Sequence, residues 1–296
     1  MTNTLRVLGR VAVTGASGFI GRRLVDHLRA GDAVEVVAWS RPTVDLLDPV
    51  SVQQAATRDR PDTIFHLAAT GVSGARAHDV QLIVADLAMI QNLMAAADEG
   101  TRFVLAGSMA EYGRAGRLHE QDRCTPKTAY GIAKLMSGLY ASAYAANKAQ
   151  SVAVARLFGV YGPGEAPQRL FPALVSALDR GESVDVSDGL QRRDFIHVDD
   201  VCTGLFAIAA SAPRDDAVFN LGTGKAVRVR DAVEWIAEAV GAPTSLVRFG
   251  ARPRSPGDEH LLEADMARYA AMIGDPPPQR LHPGLSKSLF TDLDLS

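Results

Sequence analysis

Cysteine is scarce in this chain, and neither sign of charge prevails. Only two of the 296 residues are cysteines, Cys124 and Cys202, and they lie far apart. A disulfide scaffold or a zinc site needs more cysteines at closer spacing, so we expect two free thiols in a reducing compartment and no metal. The 31 Lys and Arg residues nearly balance the 34 Asp and Glu residues, and the formal net charge is -3. Because no basic block is available for phosphates, the composition argues against a dedicated nucleic-acid-binding protein.

Long hydrophobic runs are missing as well. No uninterrupted apolar stretch approaches the roughly 20 residues of a membrane span. The opening segment, "MTNTLRVLGR", has no apolar signal core. The composition, 47% hydrophobic and 22% charged, is typical of a soluble globular protein. We therefore expect a cytoplasmic protein that does not bind a membrane.

Short apolar runs alternate with helical patterns through the first half of the chain. The run "VAVTG" (11–15) predicts a buried strand, and "GFIGRRLVDHLRAG" (18–31) places Ile20, Leu24 and Leu28 on one helical stripe. The alternation continues through "TIFHLAA", "RFVLAGS" and "SVAVARLFGVYG", each interpreted as one strand, with long helical patterns between them. This order predicts an α/β fold with a doubly wound parallel sheet of the Rossmann type, covered by helices on both faces.

The regular alternation of strand and helix patterns ends after about residue 160. "YGPGEAPQRLFP" is rich in Pro and Gly, whereas "DFIHVDDVCTGLFAIAA" and "VFNLGTG" resemble a return to the first pattern. We therefore predict a dinucleotide-binding domain over 1–160 that is completed by 194–224. A smaller, discontinuous C-terminal substrate lobe is predicted over 161–193 and 225–296.

Glycines at 15, 18 and 21 separate the first predicted strand from the first helix, in "TGASGFIG". Glycines allow a tight turn and close approach of a pyrophosphate, and the helix N-terminus supplies N–H donors to the anion. A structural glycine-rich turn is the alternative. The loop predicts a dinucleotide site whose residues are Gly15, Ser17, Gly18, Phe19 and Ile20.

The end of the second strand bears on the choice of dinucleotide. NAD sites usually carry an acidic residue there for the ribose 2′-hydroxyl, but this chain reads "AWSRP". Ser40 offers a hydroxyl and Arg41 a permanent positive charge, which suit a 2′-phosphate. The alternative is a solvent-facing arginine that begins a turn. We expect NADP(H), with NAD(H) as the less favoured cofactor.

Tyr130 and Lys134, in "YGIAK", lie four residues apart and so share one face of a helix. A phenol has a reference pKa of about 10, and both a neighbouring ammonium and an oxidised nicotinamide lower such a pKa. A tyrosine in that setting can give a proton to a carbonyl oxygen as hydride reaches its carbon. Ser108, four residues before a Tyr-Gly pair, is either a substrate contact or a turn residue at the end of a strand.

Together these motifs resemble the extended short-chain dehydrogenase/reductase family of the NAD-dependent epimerase/dehydratase type. The resemblance spans roughly residues 10 to 275. Its carriers are "TGASGFIG", "FHLAA", Ser108 before "EYG", "YGIAK", "ARLFGVYGPG", "RRDFIHVDDV" and "FNLGTG". It implies that Ser108 hydrogen-bonds the sugar, that Tyr130 is the acid/base, and that Lys134 binds the nicotinamide ribose. It also implies a homodimer formed through helices 80–98 and 128–147, for which internal packing against the sheet is the alternative.

Several residues of this chain differ from the family pattern, and these differences disfavour some of the family's reactions. Sugar 4,6-dehydratases of this family carry an Asp-Glu pair after the Ser/Thr, whereas this chain has Met109 and Ala110, which cannot transfer protons. Met109 also replaces the Cys of the 3,5-epimerising reductases. Glu111, one step further, is interpreted as a strand-end charge. Gly159 and Asp86 both stand where relatives commonly have Asn.

The remaining family motifs complete the predicted site. The second strand passes directly to Asp45 and Leu46, as in NADPH-dependent nucleotide-sugar 4-ketoreductases, the members that this chain resembles most. The pair would line the adenine pocket, and "DLLDP" could equally cap a helix. "FHLAA" resembles the segment that passes the cofactor pyrophosphate. The full prediction is catalytic Ser108, Tyr130 and Lys134; cofactor contacts also from Ser40, Arg41, Asp45, Leu46, Leu67, Ala68 and Ala69; and substrate contacts from Ser108, Met109, Tyr130, Arg193 and Arg254.

These expectations converge on an NADP(H)-dependent reductase of a nucleotide-linked 4-keto-6-deoxysugar, acting in deoxysugar biosynthesis. The arginines would bind the diphosphate of the sugar nucleotide. One alternative is a 4-epimerase with tightly held NAD, which uses the same three catalytic residues. Another is a catalytically idle NADP-sensing protein on the same fold.

Overall fold

A six-stranded parallel sheet forms the centre of the protein. The computed structural model describes residues 8–31, 35–71, 79–211, 217–255 and 257–291. The strands and helices follow one another as β1 (Val11–Thr14), α1 (Phe19–Arg29), β2 (Val36–Trp39), α2 (Pro49–Asp59), β3 (Thr63–His66), α3 (Val80–Ala96), β4 (Arg102–Ser108), β5 (Gly116–Leu118), α4 (Ala129–Ala145), β6 (Ser151–Leu157), β7 (Gly159–Tyr161), α5 (Leu170–Asp179), β8 (Val184–Val186), β9 (Arg192–Arg193), β10 (Phe195–His197), α6 (Val198–Ala210), β11 (Ala217–Leu221), β12 (Val227–Arg228), α7 (Val229–Ala239), β13 (Val247–Phe249), β14 (Leu261–Ala264) and α8 (Ala267–Met272).

The central sheet has the order β11-β6-β4-β3-β1-β2, and all of its neighbouring strands are parallel. One face packs against α1 and α6, in a cluster that includes Val11, Leu24 and Leu205. The other face packs against α2, α3 and α4, in a cluster that includes Ile64 and Ile90. Because both faces are buried, the strands are nearly continuous apolar runs. The prediction of a doubly wound parallel sheet is confirmed.

The strand order reverses between β1 and β3, since β2 lies on one side of β1 and β3 on the other. Loops leave the two strands in opposite directions there, and in open α/β sheets this point forms the ligand-binding crevice. The chain runs from β2 through residues 40–48 straight into α2, so β2 remains the edge of the sheet.

The predicted strand over 151–162 is two strands. β6 stays in the central sheet, but Phe158 N bonds to Leu221 O and Gly159 N bonds to Asp194 O. As a result β7 pairs with β10 instead. A Cβ on Gly159 would lie 2.9 Å from the Phe195 ring and 3.0 Å from the Asp194 carbonyl, so an Asn at this position would require these neighbours to shift.

A third apolar cluster joins α5 and α7 and includes Phe171, Leu174, Val233 and Ile236. Two small sheets flank it, β13-β8 and β12-β9-β14-β5.

The predicted domain boundaries stay a prediction, although α6 and β11 pack with the central sheet. Both cysteines are unpaired. Among the described helices, none has the length and apolar composition that a membrane crossing needs.

Candidate active site

The glycine loop, residues 14–21, connects β1 to α1. It lies at the point where the strand order of the sheet reverses. Gly15 has a φ of +64°, and a Cβ there would lie 2.8 Å from Ala68 N. A Cβ on Gly21 would lie 2.1 Å from Gly15 O. Gly18 is the N-cap of α1 and provides no side-chain cap, so N–H groups of the first turn are available to an anion. Ser17 and Gly18 are exposed, and Phe19 and Ile20 are half-buried. This backbone cradle fits a dinucleotide pyrophosphate.

The segment after β3 is tied to the same loop. Thr14 Oγ1 accepts hydrogen bonds from Leu67 N at 3.2 Å and Ala68 N at 3.3 Å. Leu67, Ala68 and Ala69 are half-buried and follow the carboxyl end of the strand next to β1. The three residues predicted from "FHLAA" therefore flank the glycine loop.

The turn after β2 lies on the opposite side of the loop. Ser40 O accepts hydrogen bonds from Thr43 N at 2.8 Å and from Val44 N at 2.9 Å, which fold the chain back. Arg41 is exposed beside this turn, and Leu46 is buried. Asp45 Oδ1 accepts from Leu47 N at 3.0 Å.

The capping alternative for "DLLDP" is confirmed for Asp48. Its side chain accepts from Val50 N at 2.9 Å and caps α2. Asp45 has no such role, because its carboxylate shapes the turn before the helix. The adenine-pocket interpretation of Asp45 and Leu46 stays a prediction.

Ser108 is the last residue of β4 and is 8% exposed. It begins a 3-10 turn over Met109–Glu111, in which Ser108 Oγ accepts from Ala110 N at 3.2 Å. Since its oxygen serves the turn as an acceptor, the hydroxyl hydrogen remains free to donate. The turn alternative for this serine is confirmed, and its contact with a substrate stays a prediction.

Glu111 was missed as a functional candidate. Its carboxylate accepts from Ser108 N at 2.8 Å and pairs with Arg156 Nε at 2.7 Å. It is 1% exposed, and a Cβ on Gly107 would lie 2.6 Å from its Oε1. It is therefore a buried support of the turn and not a strand-end charge. The Ser-x-x-Glu spacing of a capping box was the sequence signal for it.

Arg156, the partner of Glu111, also contacts Tyr112 and Glu120. Its guanidinium lies 4.6 Å from the centre of the Tyr112 ring and donates to Glu120 O at 3.2 Å. Burial lowers the pKa of Arg156, but Glu111 and Tyr112 together outweigh burial, so the net pKa is raised. The Tyr112 hydroxyl donates to Asn220 Oδ1 at 2.6 Å.

Helix α4 brings Tyr130 and Lys134 to the same end of the sheet. Thr128 Oγ1 accepts from Gly131 N at 3.1 Å and caps the helix. A Cβ on Gly131 would lie 2.5 Å from Ala110 O, so glycine lets the first turn of α4 pack on the turn that holds Ser108. Lys134 Nζ lies 5.9 Å from the centre of the Tyr130 ring. The three residues predicted to be catalytic thus lie together at the carboxyl end of β4.

The predicted substrate arginines both pair with carboxylates. Arg193, on β9, forms an ion pair with Asp258. Arg254 makes two hydrogen bonds to Asp188, at 2.7 and 2.9 Å. Arg254 and Asp258 line a cavity of about 200 Å³ next to α5 and α7, together with Val186, Gln191, Phe249 and Arg252. Both arginines are therefore charge-paired here, and a diphosphate would have to replace a carboxylate partner.

Met109 lies in the 3-10 turn and packs, half-buried, against the central core. His197 and Asp200, which precede and begin α6, contact the C-terminal segment: Asp200 binds Arg280, and His197 Nε2 lies 3.2 Å from Leu289 O. Among the described residues no group of three His, Cys, Asp or Glu side chains could hold a metal ion.

Known proteins share this arrangement. The model of the NAD dependent epimerase/dehydratase family matches residues 11–222. A dTDP-6-deoxy-L-talose 4-dehydrogenase (NAD(P)(+)) from Kitasatospora kifunensis is 33% identical, over 88% of each chain. A dTDP-glucose 4,6-dehydratase from Actinoplanes sp. is 28% identical, over 95% of this chain and 96% of that protein. The structure of MoeE5 in complex with UDP-glucose and NAD has a TM-score of 0.82 at 35% identity, over 92% of this chain and 94% of that one.

Proposed function

Because the chain belongs to the NAD-dependent epimerase/dehydratase family, we propose that it is an NADP(H)-dependent reductase of a nucleotide-linked 4-keto-6-deoxysugar. The family's enzymes are NAD(P)-dependent oxidoreductases and epimerases of nucleotide sugars. The observation that favours reduction over dehydration is the turn after Ser108. It holds Met109 and Ala110, neither of which can exchange a proton, next to the helix that presents Tyr130 and Lys134.

Ser108, Tyr130 and Lys134 each have a separate role in the proposed reduction. When bound, the reduced nicotinamide supplies a hydride. Ser108 donates a hydrogen bond to the keto oxygen, and Tyr130 transfers its phenolic proton to that oxygen as the carbon is reduced. Lys134 places a positive charge near the phenolate that remains, which stabilises it. A hydroxyl at the former keto carbon is the product.

The relative from Kitasatospora supports this reaction. Its name describes oxidation at carbon 4 of a dTDP-6-deoxy sugar with either nicotinamide cofactor. The reverse of such an oxidation is the reduction of a 4-keto sugar. Dehydration is disfavoured for this chain because the positions of the acid and base are occupied by Met109 and Ala110.

A panel of nucleotide 4-keto-6-deoxysugars tests the reaction. The purified protein should oxidise NADPH, followed by its absorbance, in the presence of the dTDP-, CDP- or GDP-linked keto sugar. The epimerase alternative predicts a different result, in which NAD copurifies and unreduced sugar nucleotides interconvert without net consumption of cofactor. No oxidation of NADPH with any keto sugar would reject the proposal.

The preference for NADP(H) rests on the turn after β2. Arg41 is exposed there beside Ser40, and neither side chain is acidic. The structure of MoeE5 contains NAD, so kinetics with both cofactors distinguish NADP(H) from NAD(H). A guanidinium on a phosphate is a charge-assisted contact of about 1.5–3 kcal/mol.

Arg41→Ala should therefore raise the KM for NADPH by about 10- to 100-fold, the effect of that contact, and should leave the KM for NADH unchanged. Steady-state kinetics with both cofactors measure it. Arg29→Ala, an exposed arginine at the end of α1, serves as the matched control and should change neither value. Equal effects of Arg41→Ala on both cofactors would contradict a 2′-phosphate contact.

We also propose a homodimer through α3 and α4. The two helices pack side by side and leave apolar side chains exposed, with Val84 at 55% and Leu139 at 63%. Val80 and Met136 extend the same surface at 62% and 38%. A second copy would bury these side chains in a bundle of four helices. A monomeric mass in analytical ultracentrifugation would contradict the pairing.

The proposed location is the cytoplasm. The two cysteines are unpaired, one half-buried and one buried, as expected for a reducing compartment. Cell fractionation with an antibody against the protein tests this location.

A further inference from the structure

A narrow cavity lies behind Lys134, between α3, α4 and the central sheet. It has about 10 Å³ for the centre of a water molecule, the space that a single water needs. The polar residues that line it are His66, Asp86, Lys134 and Ser137. A water molecule there would have enough polar neighbours to be held in place, and three of these neighbours carry ionisable groups.

His66 is a neutral hydrogen-bond donor in this cavity. Thr14 Oγ1 accepts from Leu67 N and Ala68 N and lies 2.9 Å from His66 Nδ1. Its two lone pairs are used, so its single hydrogen is donated to Nδ1 and the proton of the ring lies on Nε2. Burial, assisted by the charge of Lys134, lowers the pKa of His66 to about 3. The ring therefore adds no charge.

Asp86 brings a carboxylate to the same cavity. It is 4% exposed, and its Oδ1 accepts from Thr70 N at 2.9 Å and from Thr70 Oγ1 at 2.7 Å. These bonds fix the side chain on the buried face of α3. The Asn that is common at this position in the family could accept the same hydrogen bonds but would carry no charge.

Lys134 is 7% exposed. Within the ranges that the structure describes, no side chain makes a direct hydrogen bond or ion pair with its ammonium group. A buried charge without a partner is costly. The carboxylate that shares its cavity is therefore the group placed to balance it.

We propose that Asp86 is the counter-charge of Lys134, joined to it through one water molecule, and that this negative charge sets the pH range in which Tyr130 exchanges its proton. Asp86 acts through Lys134 and is thus a positioning residue. The other groups that face the cavity are neutral His66 from β3, Ser137 from α4, and only apolar residues and glycine from β4 and β6. The inference rests on the proposed roles of Tyr130 and Lys134, and not on the choice between reduction and epimerisation.

Asp86→Asn removes the charge and keeps the shape. In the full-length protein without cofactor, the titration midpoint of Tyr130 is measured as the ultraviolet difference between proteins with and without Tyr130→Phe. We expect Asp86→Asn to lower that midpoint by about one pH unit, because the charge of Lys134 then acts on the phenolate uncompensated. The pH profile of kcat/KM should shift in the same direction.

Thr70→Val is the control, since it removes one hydrogen bond from Asp86 but keeps the charge, and it should leave the midpoint in place. An unchanged or raised midpoint in folded Asp86→Asn would overturn the proposal. Loss of keto-sugar reduction with the midpoint shift intact would reject the proposed reaction alone.

Lys134→Met gives a second test that needs no activity. With the ammonium removed, the buried carboxylate of Asp86 should take up a proton. The infrared spectrum of Lys134→Met should then contain a carboxylic acid carbonyl band that disappears in the double variant Lys134→Met/Asp86→Asn. A spectrum without that band would show that the two charges do not balance each other.

Discussion

Tyr130→Phe should lower kcat for keto-sugar reduction by roughly 10³-fold, the usual contribution of a positioned proton donor. The substitution removes only the hydroxyl, so the ring keeps its place on α4 and its position near Lys134 Nζ. The affinity for NADPH should change little, because the glycine loop and the segment after β3 are untouched. Stopped-flow or steady-state oxidation of NADPH measures the first effect, and fluorescence titration measures the second.

Tyr140→Phe is the matched control for this prediction. Tyr140 lies on the same helix, half-buried, and its ring packs 5.9 Å from that of Tyr144. The same chemical change at this position should leave kcat within a factor of two of wild type, as surface changes usually do. If Tyr130→Phe retained more than about a tenth of wild-type kcat, well above the range for a lost proton donor, the acid/base role would have to move to another residue.

The central sheet could be predicted from the sequence because its signals are local. Each buried strand is a short apolar run, and each covering helix has its own period, so the alternation alone gives a parallel sheet. The glycine loop is local as well, since Gly15 and Gly21 act within one strand–turn–helix unit. The division of 151–161 into β6 and β7 was not predictable in this way, since it depends on backbone bonds from Phe158 to Leu221 and from Gly159 to Asp194.

The support of the site depends on distant partners that no local pattern specifies. Ser108, Tyr130 and Lys134 could be identified from spacing and family resemblance, but the ion pair between Glu111 and Arg156 joins residues 45 positions apart. The pairing of Arg193 with Asp258 likewise joins two segments 65 positions apart. Such contacts arise only when the sheet and its loops are assembled, so the sequence predicted the charges and not their partners.

Glu111→Gln should lower the free energy of unfolding by about 3–5 kcal/mol, the usual effect of breaking a buried ion pair. The Gln side chain can still accept from Ser108 N, but it leaves the buried guanidinium of Arg156 uncompensated; that side chain is 6% exposed. Urea denaturation measures the change. Glu259→Gln removes the carboxylate of a pair whose Lys127 side chain is 60% exposed, and it should cost less than about 1 kcal/mol.

The double variant Glu111→Leu/Arg156→Met separates stability from positioning. Replacing both buried charges by apolar side chains of similar size is often neutral or stabilising, so the free energy of unfolding should recover to within about 1–3 kcal/mol of the wild-type value, the cost of the unpaired Ser108 N–H. Activity should not recover, because a leucine side chain cannot accept the hydrogen bond that Ser108 N donates to Glu111 at 2.8 Å. A kcat restored together with stability would mean that the pair only holds the fold together. A stable protein with low kcat would assign to Glu111 the positioning of Ser108 through its backbone N–H.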